Sequence, residues 1–469
     1  MKPFRAFLFL SSVLILLFLV SLYRMQANQE EKFVLTPVPQ LTHAVSTPLQ
    51  QTSPPGKLIP DTAVAPAGAN EADSLLPGPA LKPQLPATYT SELEYAATDS
   101  IRLAALAHKL GQLSSNKEQV RIIYYGDSQI EGDQITSALR QKLQQHYGGH
   151  GPGLIAGAPY YNPAHQLIMT TSDNWKMIPI KAMGQRNKSV LFQNSLALAP
   201  QQHDCWFRIN RLKFLNPQSD YQQVRLFYYA NDSVRISCSN AARPVFEKQS
   251  APTLATSNIE LDFDQTPKEL TIQFTAKDSL WIAGLSLDSP WGVFVDNIAL
   301  RGQAFPPFSK GNKAELKAMM DQLTPDLFIL QFGVNVVPYF TATNRSFGRH
   351  LSDQVQIIRE LCPHTPIIIV GVSDMAKREN GEFRSYANIA QIKQVQRAVA
   401  QANQCLFWDL EAFMGGSGSM IRWVNSEPPL GRKDYIHFSQ RGGEKIGNEI
   451  ARLLISEFDN QQQLAWTNN

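Results

Sequence analysis

Two stretches of the chain, residues 98–147 and 293–460, alternate nearly continuous apolar runs with longer segments whose apolar positions recur every three or four residues. "TDSIRLAALAHKLGQL" (98–113) has Ile101, Leu103, Ala104, Ala107 and Leu110 at helical spacing. "QVRIIYY" then predicts a short buried strand, and "DQITSALRQKLQQHYG" a helix with Asp133 at its N-cap and Gly148 as its stop. The rhythm resumes with strands in "VFVDNIALRG", "DLFILQFG", "PIIIVGV" and "CLFWDL". Between and after them, "KAELKAMMDQL", "RHLSDQVQIIRELC", "IAQIKQVQRAVAQA" and "SQRGGEKIGNEIARLLISEF" read as helices. Apolar strands alternating with helices predict a three-layer α/β/α fold around a parallel sheet buried on both faces. In such sheets ligands bind beyond the carboxyl ends of the strands, where Ser128, Gly302, Asn335 and Ser373 fall.

Residues 155–292 break the rhythm. "DCWFRINRLKFL", "QQVRLFYYA", "VRISC", "PVFEKQ", "NIELDF", "ELTIQFTA" and "SLWIAGLSLD" are short and rich in β-branched and aromatic residues, with turn formers between them. They predict an inserted all-β domain, a sandwich. The α/β domain is thereby split into residues 91–154 and 293–460, with 461–469 as a C-terminal tail. No internal repeat is visible.

The N-terminus reads differently again. Lys2 and Arg5 precede the uncharged run 6–23, "AFLFLSSVLILLFLVSLY", and Arg24 follows. Eighteen residues just suffice to cross a bilayer. Residues 1–27 are therefore expected to be a transmembrane signal anchor with its basic end in the cytoplasm; a cleaved signal peptide is the alternative. Residues 28–90 hold eleven prolines among Thr, Ala, Gln and Ser, which predicts a disordered linker. As a flexible coil it would span roughly 45 Å. The catalytic part is thus expected on the extracytoplasmic side, in the periplasm or at the cell surface.

Composition adds limits. Over 469 residues, 43% hydrophobic and 18% charged residues describe a globular chain, and a net charge of +3 predicts no nucleic-acid partner. Cys205, Cys238, Cys362 and Cys405 form no C-x-x-C pair, so a zinc or redox motif is not indicated. Cys362 and Cys405 each precede a strand of the same sheet, so a disulfide between them and buried free thiols are both compatible with the sequence.

Four short patterns carry candidate chemistry. Gly-Asp-Ser ends at Ser128, between a strand and a helix. Gly302 ends the next strand, where a glycine is also ordinary turn chemistry. Asn335 lies just past the buried strand of "LQFGVNV", a place that gives an amide little structural reason to turn inward. "KDYIHFS" sets Asp434 three residues before His437, ahead of the last helix. A D-x-x-H alone is more often two surface residues. It can also aim a carboxylate at one imidazole nitrogen while the other faces a nucleophile.

Taken in this order, the patterns resemble the block order of the SGNH (GDSL) esterase superfamily over residues 98–460. "YYGDSQIEGDQIT", "GGHGPGLI", "FWDLEAFMGGSGSMIRW" and "KDYIHFSQRGG" look similar to bacterial peptidoglycan O-acetylesterases, which carry a β-sandwich resembling a carbohydrate-binding module at the position of the insert. The resemblance implies a flavodoxin-like SGNH sheet. In it Ser128 is the nucleophile, His437 the base and Asp434 its orienter, and Asp127 is not catalytic. The Ser128 and Gly302 N–H groups and the Asn335 amide would form the oxyanion hole. Two positions depart from the pattern: Val336 replaces a common Asp, and Gln129 a common Leu.

The implied reaction removes O-acetyl groups from cell-wall carbohydrate, O-acetylated peptidoglycan, through an acetyl-Ser128 intermediate, with no cofactor or metal. Transfer of the acetyl group to a glycan hydroxyl, and glycan binding without catalysis, are the competing functions. "GGSGS" (415–419) lacks the Lys-Ser/Thr of a phosphate loop and is expected to shape the site, with Arg422 and Trp423 as candidate sugar contacts. Ser373 and Asp374 are expected to form a wall of the site that touches substrate, or else a helix N-cap.

Overall fold

The computed structural model describes residues 91–155, 167–173, 175–179, 195–199, 204–211, 220–241, 243–253, 255–278, 280–341 and 346–467. The expected anchor (1–27) and linker (28–90) lie outside the described residues. No helix among the described residues is long and apolar enough to cross a membrane.

The α/β part opens with α1 (Ala97–Asn116), β1 (Gln119–Gly126) and α2 (Gln134–Tyr147). After the insert come β2 (Gly292–Ala299), α3 (Lys313–Leu323), β3 (Leu327–Gln331), α4 (Ser346–Leu361) and β4 (Ile367–Val370). The chain closes with α5 (Ile389–Ala402), β5 (Leu406–Trp408), α6 (Leu410–Met414), α7 (Ser419–Asn425) and α8 (Gln440–Thr467).

The five strands form one parallel sheet in the order β2-β1-β3-β4-β5, the flavodoxin-like arrangement. The apolar runs follow from burial on both faces. Ile122 and Tyr124 of β1 enter one core with α1, α2 and α8, whereas Ile123 and Tyr125 enter the other with α3, α4 and α5. The strand order reverses around β1, so Ser128 and the segment after β3 meet at the topological switch point.

Two antiparallel sheets fill the insert. One contains strands Ser257–Asp262, Gln223–Ala230, Leu280–Asp288, Ser195–Ala199 and Lys176–Pro179, with Gly153–Ile155 paired to Leu280–Asp288. The other contains Leu167–Thr171, Asp204–Arg211, Glu269–Ala276, Val234–Asn240 and Arg243–Ser250. Inward residues of both sheets, among them Phe207, Phe274, Leu226 and Ile282, share a third core.

A buried charge cluster fastens the insert to the catalytic sheet. Arg121 of β1 reaches both oxygens of Asp296 (2.7 and 2.8 Å) and, from the insert, Asp288 (2.5 Å) and Ser286 (3.1 Å). Burial alone would lower the Arg121 pKa, but the two carboxylates outweigh it and hold the guanidinium charged.

Two details differ from what the sequence predicts, and a third decides between its alternatives. Asp133 stands at the N-cap of α2 in the left-handed region, yet its side chain does not cap the helix. Its carboxylate instead takes Arg140 (3.1 Å to each oxygen) and the Thr136 hydroxyl, a buried pair that outcompetes the backbone. The expected tail is helical to Thr467, because Gln461 is largely buried and Gln462 donates to the Ala107 carbonyl of α1 (2.9 Å). Cys362 and Cys405 are free thiols, and burial pushes them up to about 11 and about 12. The Arg359 guanidinium stands 3.8 Å from the Cys405 sulfur.

Candidate active site

The turn after β1 is tight. The Asp127 N–H donates to the Gln331 carbonyl of β3 (3.2 Å), and a Cβ at Gly126 would crowd Ile130 and that same carbonyl. Ser128 is thus presented, half-buried, at the carboxyl rim. The facing loop precedes α8, and α8 packs closely on the start of α2. A Cβ at Gly447 would collide with the Ile135 carbonyl, and one at Gly443 with the Gln134 side chain. The glycines of "QRGGEKIG" therefore let the helix approach far enough for His437 to reach Ser128.

His437 Nε2 lies 2.9 Å from Ser128 Oγ, and His437 Nδ1 lies 2.8 Å from Asp434 Oδ2. The other Asp434 oxygen accepts the N–H groups of Ile436 and His437, each at 2.9 Å. Burial alone would raise the Asp434 pKa. The His437 N–H, its imidazole and the Ile436 N–H outweigh that and hold the carboxyl below its ordinary value. Asp434 thus stays ionised, fixes the ring and leaves Nε2 to take the hydroxyl proton.

Gly302 lies at a positive φ of 75° in the turn after β2, whose Leu300 N–H donates to the Gly126 carbonyl (2.7 Å). Asn335 Nδ2 donates to the Gln303 carbonyl (2.9 Å), which draws the segment after β3 against the Gly302 turn. A carboxamide nitrogen carries two hydrogens, so one remains for a developing oxyanion. Val336 packs partly buried against the apolar core, a place where an Asp would be costly.

Asp127 is wholly buried and takes no part in the triad. Burial raises its pKa to about 7, opposed by the N–H groups of Gln129, Val334 and Gly333. Its Oδ1 accepts the Gln129 N–H (3.0 Å) inside the nucleophile turn.

The wall residues behave differently from expectation. Ser373 is buried and caps no helix; its Oγ accepts from Gln129 Nε2 (2.9 Å). Asp374 is also wholly buried, so it does not face a substrate. One of its oxygens accepts Met420 N–H (2.8 Å) and the Ser385 hydroxyl (2.9 Å), which pins the 415–420 loop. Trp423 is 1% exposed and donates to the Met414 carbonyl (3.0 Å). It shares the inward face of α7 with Met420, three residues earlier, and is a core residue, not a sugar contact. Arg422 is half-buried and braces the glycine loop through the Gly415 (2.8 Å) and Ser417 (3.4 Å) carbonyls.

Two features escaped the sequence reading. Gln129 is buried; it donates to the Ile436 carbonyl (2.7 Å) as well as to Ser373, and accepts from Gln331 Nε2 (3.2 Å). Gln331 in turn accepts from the Tyr124 hydroxyl (2.6 Å). The signal was the lone Gln in the apolar strand "LFILQ". Beyond β4, Ala376–Glu379 and Glu382–Ser385 form a hairpin across Asn380-Gly381, both at positive φ. Asn-Gly between short runs is a strong hairpin signal. Among the described residues no group of three His, Cys, Asp or Glu side chains could hold a metal.

Residues 286–445 match the model of the GDSL-like Lipase/Acylhydrolase family. The match spans Asn335, Asp434 and His437, and together with the triad geometry it supports an SGNH-type acylhydrolase domain, a class of hydrolase that acts on esters. A solved peptidoglycan O-acetylesterase has the same fold: it is 22% identical, with a TM-score of 0.62 over 78% of this chain and 99% of that one. An acetyl xylan esterase (16% identical, TM-score 0.23, 34% of this chain and 78% of that one) is also similar. So is a family two carbohydrate esterase from Cellvibrio japonicus (8% identical, TM-score 0.23, 62% and 99%). Of these three, the first has a TM-score above 0.5. No curated protein matches the chain.

Proposed function

We propose that this protein removes O-acetyl groups from cell-wall carbohydrate, with O-acetylated peptidoglycan as its substrate. The observation that carries the reading is the hydrogen-bonded line Asp434–His437–Ser128, at 2.8 and 2.9 Å, on the rim that also holds Gly302 and Asn335. The substrate class is supported by the fold shared with a peptidoglycan O-acetylesterase.

In this reading His437 Nε2 takes the Ser128 proton as Oγ attacks the acetyl carbonyl. The N–H groups of Ser128 and Gly302 and the Asn335 amide receive the oxyanion. His437 then gives its proton to the departing sugar oxygen, leaving acetyl-Ser128. Water, deprotonated by His437, attacks the acyl carbonyl and releases acetate and free Ser128. The reaction takes place outside the cytoplasm, on a domain tethered by residues 1–90 to the membrane.

The test is acetate release from O-acetylated peptidoglycan, with acetylated xylan as the comparison, by the wild type, Ser128→Ala and His437→Ala. Wall-specific release abolished in both variants is expected. Full activity in Ser128→Ala would overturn the mechanism, and a preference for xylan would overturn the substrate. Acetyl transfer to glycan hydroxyls in place of acetate release would mark an acetyltransferase.

A further inference from the structure

Tyr339 and Phe383 are the aromatic members of the exposed large apolar side chains among the described residues, 81% and 38% exposed. Both stand at the catalytic rim. Tyr339 ends the single turn Val337–Tyr339, just after Asn335. Phe383 lies on the hairpin after β4, and its ring stacks on Tyr435, with centroids 3.7 Å apart and planes 18° from parallel. Tyr435 sits between Asp434 and His437, at φ 59°.

Hydrogen bonds anchor the backbone of both segments. The Ala376 N–H of the hairpin donates to the Tyr435 carbonyl (3.1 Å), and the Ser385 hydroxyl receives Gly418 N–H (2.9 Å) while donating to Asp374 (2.9 Å). Asn388 Nδ2 holds the carbonyls of Val337 (2.7 Å) and Phe340 (3.1 Å) on either side of Tyr339. Leaving flat apolar rings in water forgoes burial free energy. A ring stacked on the loop of the base, and another on a turn whose backbone is anchored, offer a surface for a ligand with a flat apolar face. The C–H face of a pyranose is such a face, and its hydroxyls stay in solvent.

We propose that Phe383, backed by Tyr435, and Tyr339 are stacking platforms for the sugar rings of the acetylated glycan and orient the ester over Ser128. The proposal rests on the glycan reading above and assigns the residues that select a sugar over a small ester. Stacking on the Phe383–Tyr435 pair sets one sugar ring against the loop that holds the base. Tyr339 takes a ring on the side of the oxyanion donors.

The experiment compares kcat/KM for O-acetylated peptidoglycan with kcat/KM for 4-nitrophenyl acetate, which carries no sugar. The variants are Phe383→Ala, Phe383→Tyr and Tyr339→Ala. Ile101→Ser is the control: this exposed residue neighbours Arg102, which bonds Pro363 and Gln404 at the opposite edge of the sheet. The glycan-to-small-ester ratio is expected to fall about tenfold in each alanine variant, while Phe383→Tyr and Ile101→Ser keep the wild-type ratio. An unchanged ratio in both alanine variants would overturn the platforms; so would equal losses on both substrates in Phe383→Ala, which would make the stack only a brace for the catalytic loop. Wild-type enzyme that cleaves the small ester but not the glycan would instead overturn the proposed substrate, before any variant is compared. If chemistry masks binding, the affinity of Ser128→Ala for glycan fragments, with and without Phe383→Ala, gives the same decision.

Discussion

The Gln129 carboxamide donates to the Ile436 carbonyl at 2.7 Å, so the residue after the nucleophile holds the chain just before the base. The same nitrogen bonds Ser373, and the carboxamide oxygen is held by Gln331. A buried hydrogen-bond relay thus sets the spacing between Ser128 and His437. Gln129→Leu fills similar space but leaves the Ile436 carbonyl and the Gln331 amide without this partner, each costing about 1–3 kcal/mol. We expect kcat on a small ester to fall by about 10²-fold, since small misplacements of reacting groups carry losses of that size, with KM nearly unchanged. Steady-state kinetics together with the melting temperature check this. A large drop in melting temperature with unaltered kcat would make Gln129 a stability residue alone.

Asn335 makes a sharper prediction about charge. Its amide is fixed by Gln303, so it needs no rearrangement to meet an oxyanion. Asn335→Ala should lower kcat by about 10²–10³-fold while KM stays within a few-fold. A KM effect alone would assign Asn335 to ground-state binding.

How much of this was legible in the sequence depends on what each residue is asked to do. The sheet was readable because strands buried on both faces leave uninterrupted apolar runs such as "QVRIIYY". That Ser128, His437 and Asp434 would meet was readable because the motifs occur in an order that one sheet rim can gather. Trp423 was misread because an aromatic beside a glycine loop looks the same whether its helix turns it in or out; Met420, one turn earlier, shares its inward face. Asp374 was misread for a related reason: a strand-end carboxylate can face a ligand or pin a loop, and here Met420 N–H and Ser385 claim it. Gln129 looked like a departure from pattern because its partners lie 202, 244 and 307 residues away.

The charge cluster at the insert predicts a stability effect. Arg121→Met would leave Asp288 and Asp296, both within 1% of complete burial, without their shared cation. Removing one partner of a buried ion pair costs about 3–5 kcal/mol. Chemical unfolding should show a loss of that size. A neutral result would mean that the carboxylates take up protons or water in the variant.

Asp127 predicts how stability changes with pH. Its folded-state pKa of about 7 lies above the ordinary 3.8, so between those values the folded chain keeps a proton that the unfolded chain has released. Stability then falls as pH rises through this window, and the penalty is complete above pH 7. Asp127→Asn cannot ionise but keeps an oxygen to accept the Gln129 N–H. The difference in melting temperature, variant minus wild type, should therefore increase from pH 4 to pH 7 and then level off. Taking this difference cancels the other buried carboxyls, Asp326 and Asp374, whose pKa values burial also raises. A difference that stays flat across the window would show that Asp127 is ionised throughout. The nearby Gln129, Gly333 and Val334 N–H groups would then offset the cost of burying the charge beneath Ser128.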